Sequence, residues 1–190
     1  PRDMPRPRVV FANGGELLSV GPNGIGELVG TSGPPDPVLA APEDYESLHD
    51  PFVVEDGESL VLYLAAERPD GKRDLLRAVG PGGRGLAFSD AYLVEVPPEV
   101  ASIDGPTVWI EDLAAGTWRM IARVDTGTGP RLAALVSRDS GGRFEWAVEG
   151  DLERSIVRAP AAEDVFAIDR DEVAEPALIV HEGTWRLYYA

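Results

Sequence analysis

The sequence predicts an all-β fold, a β-propeller of four-stranded antiparallel blades with about three blade-equivalents present, and three observations predict it. First, 17 prolines and 21 glycines cut the 190 residues into short segments rich in Val, Leu, Ile, Trp and Tyr, the punctuation of strands joined by turns. Second, no long stretch holds a 3.6-residue apolar period with caps. The nearest, Asp164 to Val173, is short and broken by charge, so helix is a minor component. Third, one strand plan recurs along the chain, and repetition with a period of some tens of residues marks propellers and related arrays.

The plan begins with an acidic residue close to a proline. Asp50-Pro51-Phe52-Val53-Val54 leads into the turn Glu55-Asp56-Gly57 and a strand from Leu60 to Ala66. Asp104-Gly105-Pro106-Thr107-Val108-Trp109-Ile110 passes a turn ending at Gly116 and continues as Thr117-Trp118-Arg119-Met120-Ile121-Ala122. Glu175-Pro176-Ala177-Leu178-Ile179-Val180 turns at Glu182-Gly183 and ends in Thr184-Trp185-Arg186-Leu187-Tyr188-Tyr189-Ala190. Each reads as a hairpin. A second half-unit opens at Leu17, Leu75 and Leu132, each time an apolar strand followed by a glycine-rich turn. The connectors also match: Pro37-Val38-Leu39 before Pro42 is similar to Ser155-Ile156-Val157 before Pro160.

Four strands and a connector make one blade. Asp104 lies 54 residues after Asp50, and Glu175 lies 71 after Asp104, spacings that suit blades with variable loops. Residues 1–190 then read as one partial propeller domain. Residues 8–40 are the second half of a blade, 50–97 and 104–150 are blades, and 175–190 are the first half of another. Single-chain propellers carry about 4–8 blades, so the expectation is a fragment of a five-bladed propeller, or a ring completed by homo-oligomerisation. The chain begins Pro1-Arg2-Asp3-Met4, and a processed or trimmed N-terminus is expected.

Charge narrows the partners. There are 33 acidic residues against 17 basic ones, a net charge of −16, which repels nucleic acid over most of the surface. Lys72 is the only lysine. The absence of cysteine excludes disulfides, thiolate metal sites and a cysteine nucleophile while leaving extracellular and cytoplasmic locations both open. Apolar runs such as Ser59 to Ala66 are far shorter than a membrane span needs, so no membrane partner is expected.

The segments HDPFVVEDGESLVLYLA, IDGPTVWIEDLAAGTWRMIA and AEPALIVHEGTWRLYYA resemble the blade openings of the five-bladed propeller glycosidases, glycoside hydrolase family 43 and its fructan-cleaving relatives. LVSRDSGGRFEW resembles their third-strand turn, and the likeness extends over residues 36–190. In that family an Asp, an Asp and a Glu at the inner ends of successive first strands converge on a central pocket. The resemblance implies that Asp50 is the general base, that Asp104 tunes pKa and holds the sugar, and that Glu175 is the general acid. Two departures stand out: Glu175 meets Pro176 directly, and Gly105 intervenes between Asp104 and Pro106.

Acetal cleavage by itself calls for such a group, since one carboxyl must protonate the leaving oxygen while an ionised carboxylate activates water. A third negative charge nearby raises the pKa of the acid. The same residue types also cap turns and bind backbone amides. A non-catalytic carbohydrate-binding or assembly propeller is therefore the alternative to a glycoside hydrolase.

His49, Phe52 and Trp109, close to the carboxylates, are the candidate substrate-binding residues, with His181 a weaker one. Trp118 and Trp185 occupy equivalent places in two repeats and are read as core. Arg77 and Arg123 are read as partners for pocket acids or as surface neutralisers. The glycine turns at Gly21-Pro22-Asn23-Gly24 and Gly80 to Gly85 precede no helix and lack the Lys-Ser/Thr of a phosphate loop. No cofactor is implied. Asp169 and Asp171 are the pair a calcium ion would touch, without the regular spacing of a loop site.

Overall fold

The computed structural model describes residues 9–13, 16–20, 36–57, 59–81, 88–147, 155–158, 176–181 and 184–188, and every regular element among them is a β-strand. The first sheet has the order β1 (Val9–Asn13), β2 (Glu16–Val20), β3 (Asp36–Ala40). The second is a meander of β4 (Ser47–Asp56), β5 (Ser59–Glu67), β6 (Arg73–Pro81) and β7 (Tyr92–Leu93). The third runs β8 (Ser102–Asp112), β9 (Thr117–Asp125), β10 (Pro130–Ser137), β11 (Glu145–Trp146), with β12 (Ser155–Arg158) also on β10. A hairpin of β13 (Ala177–His181) and β14 (Thr184–Tyr188) follows. All strand pairings are antiparallel. The all-β expectation holds, and the two central sheets carry the four-strand meander.

One expectation is corrected. Ser155 to Val157, read as a connector beyond a unit ending at residue 150, belongs to β12, where Ser155 pairs with Ala133 and Val157 with Leu132 of β10. Its counterpart Pro37-Val38-Leu39 likewise lies in β3 and pairs with β2. The ladders even slip at corresponding steps, between Leu17 and Leu18 and between Leu132 and Ala133. Both segments are short and end three residues before a proline, Pro42 and Pro160, a sequence signal of a linker.

The openings of β4 and β8 share a second irregularity. His49 pairs with Ala65 and the next partners are Phe52 and Tyr63, while Asp104 pairs with Arg123 and the next are Thr107 and Ile121. Each strand thus carries one extra residue at a bulge next to a proline, which has no N–H for the ladder. The bulge needs a left-handed backbone, supplied by Asp50 with φ 50° and Gly105 with φ 56°. Asp and Gly are residue types that tolerate it.

Strand β5 is buried on both faces, which explains its unbroken apolar run. Val61 and Tyr63 join Ile103, Trp118, Met120, Val124 and Phe144 in the core between the second and third sheets. Leu62, Leu64 and Ala66 turn the other way and meet Leu48 and Leu39. On the far side of the third sheet, Ile121 and Leu132 pack with Trp109 and Leu187. The sheets therefore stack face to face in chain order.

The β10–β11 turn locks the two central sheets together. Buried Ser137 accepts from the Gly141 amide at 2.9 Å and donates to Asp139 at 2.6 Å. The same carboxylate accepts from the amides of Gly142 and Arg143 at 3.2 and 3.0 Å. Tyr63 of β5 then donates to the Gly141 carbonyl at 2.8 Å. Gly141 lies so close to Tyr63 and Trp118, with φ 80°, that no larger residue fits there.

Candidate functional site

Because β4 and β8 run side by side, their bulged openings meet. The Gly105 amide donates to Asp50 Oδ2 at 3.2 Å. Pro51, Phe52, Pro106, Thr107 and Pro176 join Asp50 around an open cleft of about 300 Å³. Thr107 Oγ1 donates to the Pro176 carbonyl at 2.5 Å, which brings the start of β13 to the same place. Phe52 lines the cleft and also packs on the core between the sheets.

Asp104 lies next to this group and is 6% exposed. Arg123 Nη1, from the paired position on β9, reaches Asp104 Oδ2 at 2.8 Å, and Arg73 Nη1 reaches the same oxygen at 3.3 Å. Arg73 Nη1 also stands 3.9 Å from Asp50 Oδ2. One guanidinium thus links two of the three carboxylates named from the sequence. Burial pushes the Asp104 carboxyl above its usual value of 3.8; Arg123 and Arg73 pull it down, and Asp50 adds to the rise. Desolvation outweighs the ion pairs, the usual outcome for a carboxylate taken out of water.

A second layer fixes Arg73. Its Nε donates to Glu67 Oε2 at 3.3 Å, and its backbone amide donates to Ser102 Oγ at 3.0 Å. Glu67 Oε2 also lies 3.3 Å from His49 Nε2, and Ser47 Oγ meets that same nitrogen at 2.7 Å. Since Ser47 and Glu67 share one ring nitrogen, the trio is not a serine–histidine–acid relay, which needs both nitrogens. Lys72, Arg73, Ser102, Asp104, Arg123 and Asp125 line a cleft of about 420 Å³ behind the carboxylates.

No protein-family model matches the chain, and no curated protein matches it.

The structure brings Asp50, Asp104, Phe52 and His49 into one neighbourhood, His49 at its edge through Glu67. Glu175, Asp169 and Asp171 lie outside the described residues, as do the side chains of His181 and Trp185. Trp109 stands elsewhere, on the face of its sheet turned to Leu187. Trp118 is fully buried against Tyr63, with ring centroids 6.2 Å apart. Arg77 stacks on Tyr92 and Trp118 instead of meeting a pocket acid. Among the described residues no cluster of three His, Asp or Glu side chains is arranged to hold a metal ion. No helix among them is long and apolar enough to cross a membrane.

The register changes one equivalence. Aligned on the bulges, Asp50 corresponds to Gly105 and His49 to Asp104. The prolines carried that signal, because a proline fixes where the ladder breaks. Arg73, Glu67 and Ser102 were not singled out from the sequence. The signal available for the first two was their charge opposition across the β5–β6 turn, where they are direct partners.

Proposed function

We propose that the stacked sheets are blades of a β-propeller and that the chain is a glycoside hydrolase acting on oligo- or polysaccharide at the junction of β4, β8 and β13. One observation supports the reading: the openings of three successive first strands line a single cleft, with Asp50 and Pro176, the residue after Glu175 in the sequence, both among its lining residues. Apolar walls from Phe52 and three prolines suit a sugar ring, which presents C–H faces as well as hydroxyls.

In this mechanism Asp50 takes a proton from water as the water oxygen attacks the anomeric carbon. Glu175 gives its proton to the departing glycosidic oxygen, so one proton is taken and one returned. Asp104 does neither. Gripped by Arg73 and Arg123, it sets the position of the guanidinium that faces Asp50.

A second reading is a carbohydrate-binding propeller without catalysis. It is favoured by the ties that Asp50 makes to Gly105 and Asp104 makes to two arginines, which are also what purely structural carboxylates do. Hydrolysis of aryl arabinosides, aryl xylosides and a fructan, with Asp50→Asn and Glu175→Gln as controls, separates the two. Turnover that falls by about 10²–10⁴ in either variant supports catalysis. Saccharide binding without turnover supports the second reading, and turnover unchanged in Glu175→Gln removes the acid assignment.

A further inference from the structure

We infer that the cleft lined by Asp50 takes a sugar that carries a free amine and holds it through its ammonium group. The inference rests on the carbohydrate reading above and names the substrate class. The residues lining this cleft accept hydrogen bonds, and their side chains have none to donate. Pro51, Pro106 and Pro176 lack an N–H. The Gly105 amide already points at Asp50 Oδ2, and the Thr107 hydroxyl donates to the Pro176 carbonyl. The side chains of Phe52 and Ala177, which complete the walls, carry no polar atom.

Among the described residues that line the cleft, Asp50 alone is charged, and no cation meets it at hydrogen-bond distance. Arg73 Nη1 stands 3.9 Å from Asp50 Oδ2, while the same nitrogen reaches Asp104 at 3.3 Å and Arg73 Nε reaches Glu67 at 3.3 Å. One guanidinium therefore faces three carboxylates, and Asp50 is the most distant of them. Arg123 is engaged at Asp104. Among the described residues nothing donates to Asp50 Oδ1; the Gly105 bond falls on Oδ2. A primary ammonium has three donors and no acceptor, so it complements this wall in both charge and hydrogen bonding, whereas a carboxylate or phosphate would meet acceptors alone. The net charge of −16 draws cations toward the surface, and the Phe52 ring suits both a cation and the C–H face of the sugar. A carboxylate offers about four lone-pair sites, and Gly105 takes one. An amine at C2 and the water attacking the neighbouring anomeric carbon can therefore share Asp50.

Titration calorimetry of the full chain with a glucosamine disaccharide and with its N-acetylated form tests this. The free amine is expected to bind about tenfold tighter. The gap should narrow at high salt, as pH rises until the amine is neutral, and in Asp50→Asn, which keeps an acceptor oxygen and removes the charge. The salt and pH series need only the parent protein, so the test stands even where the variant fails to fold. Equal affinity for the two sugars, or a gap untouched by salt and pH, overturns the proposal, as does a gap preserved in folded Asp50→Asn. A lysine amide that displaces the disaccharide at equal concentration assigns the ammonium to a peptide and overturns the sugar class. Tight binding of the amino sugar without its cleavage upholds the subsite while removing the hydrolytic reading. Cleavage of the neutral aryl glycosides with no preference for the amine does the reverse, so the two fail separately.

Discussion

Gly105 and Asp50 hold the two strand openings together: the Gly105 amide meets Asp50 Oδ2 at 3.2 Å, and both residues adopt left-handed backbones. Each bulge thus aims at the other, and the pair sets the wall of the candidate cleft.

Gly105→Ala keeps the amide but forces an L side chain to φ 56°, at a cost of about 1–2 kcal/mol. Urea denaturation should report that loss. Asp50→Asn, which keeps an acceptor oxygen, should lose less stability than Asp50→Ala. A Gly105→Ala protein as stable as the parent would contradict the bulge.

Asp104 makes the pH dependence specific. Its folded pKa is raised, chiefly by burial, so the protonated form is favoured by folding. Its contribution is complete below the unfolded value and is lost as pH rises through the raised value. The stability of the parent relative to Asp104→Asn should therefore fall with increasing pH across the carboxylate range and level off above it. Urea melts at a series of pH values check this, and a difference that grows with pH would refute it.

Asp139 runs the other way. Hydrogen bonds from Ser137 and from the amides of Arg143 and Gly142 hold its carboxyl below the usual range against a desolvation effect that would raise it. Its contribution is present above the unfolded value and is lost as pH falls through the depressed one. Asp139→Ala should lower the thermal midpoint at neutral pH, with the deficit shrinking in acid as the parent carboxylate is protonated.

Gly141→Ala should be among the most damaging single changes. A Cβ there would collide with the Tyr63 hydroxyl and stand 2.9 Å from Trp118 Cε3, at a φ of 80°. Two buried aromatic rings would have to move, costing about 3 kcal/mol or more. Tyr63→Phe removes the bond to the Gly141 carbonyl, a loss of about 1–3 kcal/mol. Chemical denaturation of the two variants should give that order.

The main hairpins, their turns and the recurring strand plan were legible in the residues alone, though not the strand at Ser155 to Arg158. These follow from local chemistry: glycine and proline end strands, and β5 reads as continuously apolar because Val61 and Tyr63 face one sheet while Leu62 and Leu64 face another. The sequence also singled out Asp50, Asp104 and Phe52, which the structure gathers in one region. Tertiary structure alone decided that Gly105 holds the place of Asp50 and that Trp109 turns toward Leu187. It also decided that Arg73 links Asp50 to Asp104. Those facts depend on a one-residue bulge and on contacts between separate sheets. A single inserted residue reverses which face a side chain occupies, and partners 23 to 78 residues apart in the chain meet only when the sheets pack.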